Sequence, residues 1–412
     1  MVTLAEYGTA ELTLTRGQAA ALQRTGFVAV SPIGVDQWQV TASSYVGTLG
    51  VEGIDLLIRP KINFDNLFLL LEPGLPATAW RPENFDYDSS TDLLSSVIGF
   101  FARTVEAVLG RGVLRSYQAR AEPLVALRGR LDVAAQFKRT GVLTPVACTY
   151  DDFTDDIFEN RALRAAVRLA LRVPNIAVEE RQRLMRQLIT LESVADVPVS
   201  AEVIDGVHYT RLNQHYAPAL GLARLILANL TLQDAHGSRS APSFMVDMND
   251  LFQRFVTGRL RRALQGRLEI VDEPTVHLGL DRKVSMYPDL TFRRPGGDTL
   301  YVGDIKYKLA NDARARTSDY YQLLAYTTAM DLPEGVLIYC RRPGEPASRS
   351  VTVQNAGKRL IVRPIDLAGP AHHVDREIEC LADEITRGLA KVQHSASADR
   401  MGPNQTFPSR AR

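Results

Sequence analysis

Cysteine is scarce in this chain of 412 residues, which contains only Cys148, Cys340 and Cys380. The three residues are far apart and form no Cys-x-x-Cys pair. This spacing excludes a disulfide scaffold and a zinc site built from several thiolates. The pattern is typical of a reducing compartment, and we expect a cytoplasmic location. The first residues have no basic segment followed by an apolar core, so no secretory signal is predicted.

Long apolar runs and an excess of one charge are also lacking. Runs such as Leu67–Leu71 are far shorter than the roughly 20 residues that a membrane span needs, so no membrane association is predicted. The 48 Lys and Arg residues nearly balance the 47 Asp and Glu residues, which gives a net charge of +1. Any contact with nucleic acid must therefore come from local patches. The pattern G-x-x-x-x-G-K-[ST] is absent, which excludes a P-loop motor within this chain.

The length and the succession of patterns predict an α/β (α+β) multidomain protein. Residues 1–75 predict a β-rich N-terminal region, and residues 76–242 predict a mixed region of β-hairpin and helices. Residues 243–392 alternate between strand and helix patterns, which is typical of an α/β unit. Residues 393–412 are rich in Ser, Arg and Pro without any period, and we predict a disordered tail there.

Helices are predicted in both of the longer regions. In the middle region, the acidic residues from Asp151 to Asp155 predict the N-terminal cap of a helix over 151–170. In the third region, the pattern predicts a helix over 318–330 between two strands. The other predicted elements of that region are a helix over 248–265 and strands over 268–271, 287–292, 299–306 and 336–339.

Charged residues interrupt apolar sequence in two neighbouring segments, at Asp289 and in Tyr301-Val-Gly-Asp304-Ile-Lys306. Residues two apart in a strand point to the same face, so Asp304 and Lys306 project together. Asp289 belongs to the preceding strand and is expected to reach the same place across a hairpin. Two carboxylates and the backbone carbonyl of Ile305 form an oxygen-rich site for Mg²⁺, with Mn²⁺ as the alternative ion. A lysine beside that ion can orient or deprotonate a water for phosphodiester hydrolysis.

A chance origin of these residues is the alternative, because Asp-x-Lys triplets and Pro-Asp turns are common. The surroundings favour a metal site, since Asp304 and Lys306 interrupt an apolar strand, where unpaired charges are costly to bury. The helix predicted next carries Gln322 and Tyr326, which are four residues apart and share one face. For this pair the alternative is a tyrosine packed in the core and a glutamine that faces water.

A strand with Asp-x-Lys followed by a helix with Gln-x-x-x-Tyr resembles the PD-(D/E)xK nuclease fold, particularly its RecB-like branch. The resemblance implies a C-terminal endonuclease-like domain over 243–392. It also implies that Gln322 and Tyr326 line the active-site cleft near the DNA, beside the catalytic residues Asp289, Asp304 and Lys306.

Further segments, in the right order along the chain, resemble McrC, the family of cleavage subunits of McrBC modified-cytosine restriction systems. The ordered set runs from about residue 54 to residue 326 and covers most of the chain. The matching segments are Ile58-Arg-Pro-Lys-Ile62 ("IRPKI"), Tyr150 to Arg161 ("DEFTxDxxxNR"), Arg211 to Pro218 ("LNxxYxPAL") and Asp247 to Val256 ("DMNxLFExFV").

The resemblance to McrC implies Mg²⁺-dependent cleavage of double-stranded DNA by a subunit that acts with a hexameric AAA+ GTPase, McrB. The N-terminal region, residues 1–75 here, is expected to dock into the ring and to stimulate GTP hydrolysis. Recognition of modified cytosine is expected to lie outside this chain. The absence of a P-loop agrees with that division of labour.

The chain departs from the family pattern at Gln253, where many members have Glu. In related nucleases an acidic residue on that helix can assist a metal ion. Asp250, one turn earlier, is the candidate for such a third ligand. Its alternative role is that of an exposed acid in the first turn, where the helix dipole favours negative charge.

Two other functions stay open at this point. The first is a RecB-like nuclease of another defence or repair system, which the absence of a neighbouring AAA+ GTPase gene would favour. The second is an assembly and GTPase-activating subunit with a weak nuclease site. Gln253 supports this second hypothesis, whereas the intact Asp289, Asp304 and Lys306 oppose it.

Overall fold

The computed structural model describes residues 1–62, 67, 69–70, 93–139, 141, 143–174, 176–231, 243–307, 313–341, 348–367 and 371–400. The chain forms two compact units, Met1–Arg59 with Glu83–Val246 and Pro60–Pro82 with Asp247–Arg412. The predicted N-terminal and middle regions therefore share one unit instead of forming two. None of the helices within the described ranges is long and apolar enough to cross a bilayer.

The first unit begins with the β-rich stretch that the sequence predicts. Strands β2, β4 and β3 form an antiparallel sheet in that order, and apolar residues such as Leu22, Val40 and Leu56 form the core beneath it. Helix α1 begins with a capping box, in which Thr15 and Gln18 satisfy each other's backbone N–H groups. The elements are β1 (Val2–Ala5), β2 (Thr9–Thr13), α1 (Arg16–Arg24), β3 (Val28–Pro32), β4 (Gln37–Ala42), β5 (Tyr45–Val51) and β6 (Ile54–Arg59).

The rest of the first unit is mainly helical and contains one long, exposed hairpin. Its last two strands extend the first sheet, whose order is β1-β6-β5-β11-β10. The described elements are α2 (Leu93–Leu109), β7 (Ser116–Leu124), β8 (Arg130–Leu131), α3 (Val133–Phe137), β9 (Val146–Thr154), α4 (Phe158–Leu171), α5 (Val178–Thr190), α6 (Ala201–Asp205), a 3₁₀ turn (Gln214–Tyr216), α7 (Ala217–Asn229), β10 (Leu230–Thr231) and β11 (Ser243–Asp247).

The helix predicted over 151–170 begins only at Phe158, so the predicted start is wrong. Residues Val146–Thr154 form β9, which pairs with β7 along its whole length. Asp151, one of the acidic residues that suggested a helix cap, therefore lies within a strand. The backbone hydrogen bonds to β7 outweigh the local preference for a cap, and this long-range pairing leaves no local sequence signal.

In its described part, the second unit is a six-stranded mixed sheet flanked by helices, in the order β12-β15-β16-β17-β19-β18. Strands β16, β17 and β19 are parallel, and the remaining pairs are antiparallel. A mixed α/β class is thereby confirmed. The elements are α8 (Met248–Ala263), β12 (Glu269–Asp272), β13 (Val276–His277), β14 (Ser285–Met286), β15 (Leu290–Arg293), β16 (Thr299–Lys306), α9 (Ala313–Ala329), β17 (Glu334–Cys340), β18 (Arg349–Thr352), β19 (Arg359–Ile365) and α10 (Ala371–Arg400).

Helices α8 and α9 approach β16 from opposite faces. Leu323 and Tyr326 of α9 pack in one apolar cluster with Val302 of β16. On α8, Phe252 contacts Tyr307, with 5.8 Å between the ring centroids. Strand side chains alternate between faces, so Tyr307 and Val302 point to opposite sides. Asp304 and Lys306 are two and four residues after Val302, so their side chains lie on the same face of the strand and point toward α9.

Helix α10 continues to Arg400, although a disordered tail is predicted from residue 393. Residues 393–400 contain neither glycine nor proline, and their alanines favour a helix, so nothing in this segment ends it. Residues 401–412 of the predicted tail lie outside the described residues.

Gly335 allows α9 to lie close to the sheet. A Cβ atom at this position would be 2.9 Å from Leu323 Cδ1 and 3.0 Å from both Thr327 Cγ2 and Val302 Cγ1.

We predict that Gly335→Ala lowers the free energy of unfolding by about 1–3 kcal/mol, because the methyl group overpacks this contact. Urea denaturation measures the change. The control is Gly221→Ala, whose Cβ would meet nothing within 4 Å. An equal loss in both variants would contradict the prediction.

Candidate active site

The hairpin of β15 and β16 brings two carboxylates to one place. Leu290 pairs with Gly303 in the antiparallel register, so Asp289 and Asp304 lie at the same end of the hairpin. Asp289 Oδ2 accepts a hydrogen bond of 2.6 Å from the backbone N–H of Ile305. The structure therefore joins the two aspartates across the hairpin, in the arrangement that the sequence predicts.

Asp304 is completely buried, with 0% of its surface exposed. Lys306, on the same face of β16, places its Nζ atom 2.9 Å from Asp304 Oδ2. Despite this close ion pair, neither oxygen of Asp304 accepts a well-directed hydrogen bond from any residue that the structure describes. The contact is thus mainly electrostatic. A buried carboxylate with unsatisfied oxygens is costly, and such groups are typical of ligand-binding sites.

The electrostatics of the site favour an added cation. Burial raises the pKa of Asp304 to about 7, and the charge of Asp289 contributes to this rise, while Lys306 opposes both effects only in part. Burial also raises the pKa of Asp289. For Lys306, burial lowers the pKa, but the charges of Asp304 and Asp289 outweigh it and the net direction is upward. A divalent cation would relieve the repulsion between the two carboxylates.

The donor atoms of the site suit a hard divalent ion. The oxygens of Asp289 and Asp304 are ligands that Mg²⁺ and Mn²⁺ prefer, and within the described ranges those of Asp304 accept no well-directed hydrogen bond. No group of three His, Cys, Asp or Glu side chains in the described structure is arranged to hold a metal ion. Backbone oxygen or water would have to complete the coordination, which is common for Mg²⁺.

Helix α9 connects the predicted Gln322 and Tyr326 to the loop that precedes Asp289. Gln322 Nε2 donates a hydrogen bond of 2.6 Å to the hydroxyl of Tyr326. That hydroxyl donates in turn to the carbonyl of Tyr287, at 3.1 Å. The ring of Tyr326 is buried in the core, as the alternative interpretation expected, but its polar end lies at the site. Its placement in a cleft near DNA stays a prediction.

Asp319 and Tyr339 are two residues near the site that the sequence reasoning missed. Asp319 is buried, and its Oδ2 atom accepts a hydrogen bond of 2.7 Å from the hydroxyl of Tyr339. Tyr339 is the partner of Lys306 in the parallel register of β16 and β17. The charge of Asp319 acts on both Asp304 and Lys306. A signal existed, because Asp319 lies three residues before Gln322 on the same helical face.

Asp250 does not join the two aspartates, so the structure gives no support to its prediction as a third metal ligand. Both of its carboxylate oxygens accept hydrogen bonds from Arg254 Nε, at 2.8 and 2.9 Å, and the side chain is exposed. The pairing with a cation one turn away on α8 explains this position. The alternative, an exposed acid in the first turn of the helix, describes Asp250 correctly.

We predict that Asp304→Asn stabilises the metal-free chain, and does so more at pH 8 than at pH 5. The pKa of Asp304 rises from 3.8 to about 7 on folding. Between these values the folded chain holds a proton that the unfolded chain has lost, so stability falls as the pH rises toward 7. Asparagine removes the buried charge responsible for this loss.

Thermal melting at both pH values tests this prediction, and we expect a gain of roughly 4 °C at pH 8. Asp272→Asn serves as the control, because Asp272 is an exposed carboxylate paired with Arg261 at 2.7 Å. A gain in melting temperature that does not depend on pH would exclude titration of Asp304 as its cause.

Comparisons with known proteins identify the family. The profile of the "McrBC 5-methylcytosine restriction system component" family matches residues 40–340. A solved half-complex of Thermococcus gammatolerans McrB AAA+ hexamers with bound McrC is similar at 19% identity and a TM-score of 0.54, covering 93% of this chain and 99% of the matched chain.

A cryo-EM structure of the Thermococcus gammatolerans McrBC complex matches at 22% identity and a TM-score of 0.42, over 64% of this chain and 88% of the matched chain. The comparison with curated proteins finds no match. Since the family profile spans more than half of the sequence, the chain belongs to the McrBC family of 5-methylcytosine restriction system components.

Proposed function

We propose that this chain is the Mg²⁺-dependent DNA endonuclease subunit of a modification-dependent restriction system. One observation carries the proposal: Asp304 is a fully buried carboxylate beside Asp289, and within the described structure its oxygens have the Lys306 ammonium at 2.9 Å but accept no well-directed hydrogen bond. The order of strand, strand, helix and strand from β15 to β17 supports a PD-(D/E)xK nuclease domain in the second unit.

The residues of the site have different roles in phosphodiester hydrolysis. Asp289, Asp304 and the backbone carbonyl of Ile305 would hold Mg²⁺, for which Mn²⁺ can substitute. When bound, the ion supplies the positive charge that stabilises a phosphate as negative charge builds up on it. The neighbouring carboxylates favour the ammonium form of Lys306. Lys306 therefore acts as a donor that orients water or a phosphate oxygen, and not as a base.

Gln322 and Tyr326 position the loop that carries Asp289. The hydrogen bond from Tyr326 to the carbonyl of Tyr287 ties α9 to the loop before Asp289. This tie keeps the metal-binding oxygens and Lys306 at a constant distance, which geometry-dependent catalysis requires. Gln322 is only half-buried, so part of its side chain is accessible to the DNA backbone.

We propose an AAA+ GTPase ring as the partner, because the similar solved structure contains McrB AAA+ hexamers with bound McrC. The docking predicted for residues 1–75 stays a prediction, and we propose that the arm formed by β7, β8, α3 and β9, in the same unit, also contacts the ring. Nearly all of β7 is exposed, and large apolar groups on a surface are typical of a protein interface. The exposed apolar side chains of the arm are Tyr117, Val125, Leu127, Leu131, Val133, Phe137, Leu143 and Phe153.

The two alternative functions make different demands on the structure. An assembly subunit with a vestigial nuclease site has no need for charges buried in the sheet, so the ion pair of Asp304 and Lys306 disfavours it. A RecB-like nuclease of another system would need the same site but no AAA+ ring. The exposed apolar arm favours the subunit that docks to a partner.

We predict that Asp304→Ala lowers the rate of DNA cleavage by about 100-fold or more, because the metal site loses a ligand. The assay is cleavage of methylated plasmid by the complete complex with nucleotide and Mg²⁺. Stimulation of the partner's nucleotide hydrolysis should be retained, and Asp272→Asn should cleave normally. Unchanged cleavage by Asp304→Ala would reject this site. A wild-type chain that stimulates the ring without cutting DNA would support the assembly subunit.

We predict that the double substitution Leu127→Asp with Phe137→Asp weakens binding to the AAA+ ring about tenfold or more, since charge replaces apolar contact area. Binding is measured by analytical ultracentrifugation of the mixed proteins. Leu280→Asp, at a fully exposed leucine of the second unit, is the matched control. If the arm variant binds as tightly as the control, docking takes place elsewhere.

A further inference from the structure

Glu273 lies beside Asp289 of the proposed metal site, although it belongs to no motif found in the sequence. It follows β12, whose last residue, Asp272, pairs with Leu290 at the start of β15. The backbone N–H of Glu273 donates a hydrogen bond of 3.1 Å to the carbonyl of Asp289. The pairing of β12 with β15 therefore places Glu273, just after β12, opposite Asp289, just before β15.

The carboxylate of Glu273 is held by helix α8. Gln253 Nε2 donates a hydrogen bond of 3.2 Å to Glu273 Oε1. The backbone of Glu273 has a φ of +48°, a left-handed conformation that a residue with a Cβ adopts at some cost. A hydrogen bond at each end, one from its own N–H and one to its carboxylate, retains that conformation.

The negative charge of Glu273 acts on Asp289, which faces it across the strand pair. Unlike Asp304, Glu273 is exposed, so it borders the site on the side that water can reach. Mg²⁺ retains several of its waters when carboxylates bind it. A carboxylate on the solvent side, close to one ligand, is well suited to accept a hydrogen bond from such a water.

We propose that Glu273, held by Gln253, is the third acidic group of this site and acts on the metal ion through a bound water. The inference rests on the proposed function. It also accounts for Gln253, the residue at which the chain departs from the McrC pattern. A glutamate at 253 would lie 3.2 Å from another carboxylate and repel it, whereas an amide donates to it. In this chain the helix thus supplies the amide donor, and the carboxylate stands just after the end of β12.

Exchange of the two side chains tests the proposal. In Glu273→Gln the site loses its third negative charge, and the affinity of the full chain for Mn²⁺ alone should fall about tenfold, as measured by calorimetry. The double variant Gln253→Glu with Glu273→Gln reverses the direction of the hydrogen bond and restores a carboxylate to the same corner. Its Mn²⁺ affinity and its rate of plasmid cleavage in the complete complex should return to within about threefold of the wild type.

The controls separate this inference from the function on which it rests. Asp272→Asn removes the adjacent carboxylate, which is paired with Arg261 away from Asp289, and should leave Mn²⁺ affinity unchanged. Wild-type affinity in Glu273→Gln, or a double variant no better than Glu273→Gln, would overturn the role of Glu273. Neither result would affect the proposed nuclease, which fails only if Asp304→Ala still cleaves DNA. Thermal melting of each variant verifies that the chain is folded.

Discussion

The burial of Asp304 in the middle of a sheet is the constraint that organises the second unit. A carboxylate that loses its water must find compensation, and here one lysine amine at 2.9 Å supplies only part of it. The adjacent Asp289 adds a second negative charge, which raises the free-energy cost of ionising Asp304. The fold thus keeps a locally unfavourable group in place, and the stability of the surrounding sheet supports it. Under the proposed function, the free energy lost by burying this charge would favour the binding of a cation.

The elements around this charge keep its neighbours at constant distances. β15 and β16 are linked by a hairpin, so Asp289 is held through the backbone of Ile305. Helix α9 approaches closely because Gly335 has no side chain, and its Tyr326 reaches the loop before Asp289. Glu273 is held from the other side by α8. The side chains of the candidate site come from several elements, and each is positioned by contacts that a single helix or strand could not provide.

The sequence predicted correctly those features that depend on the geometry of one element. Asp304 and Lys306 share a face because strands repeat every two residues, and Gln322 and Tyr326 share a face because helices bring residues four apart together. Predictions failed where a distant partner intervened. The residues before Phe158 pair with β7 and not with a helix. The sequence did not predict a role for Glu273, because its hydrogen bond to Asp289 forms only when two distant segments pair.

By itself, the sequence determined the chemistry available to this protein: two aspartates, a lysine, a helix with Gln and Tyr, and motifs that identify the family. Such features depend on residue types and on short spacings within one helix or strand, and those spacings are the same in any fold. Only the tertiary structure decided which charges meet. Glu273 lies opposite Asp289 because strand register sets the distances between residues that are remote in sequence. No local pattern can encode those distances.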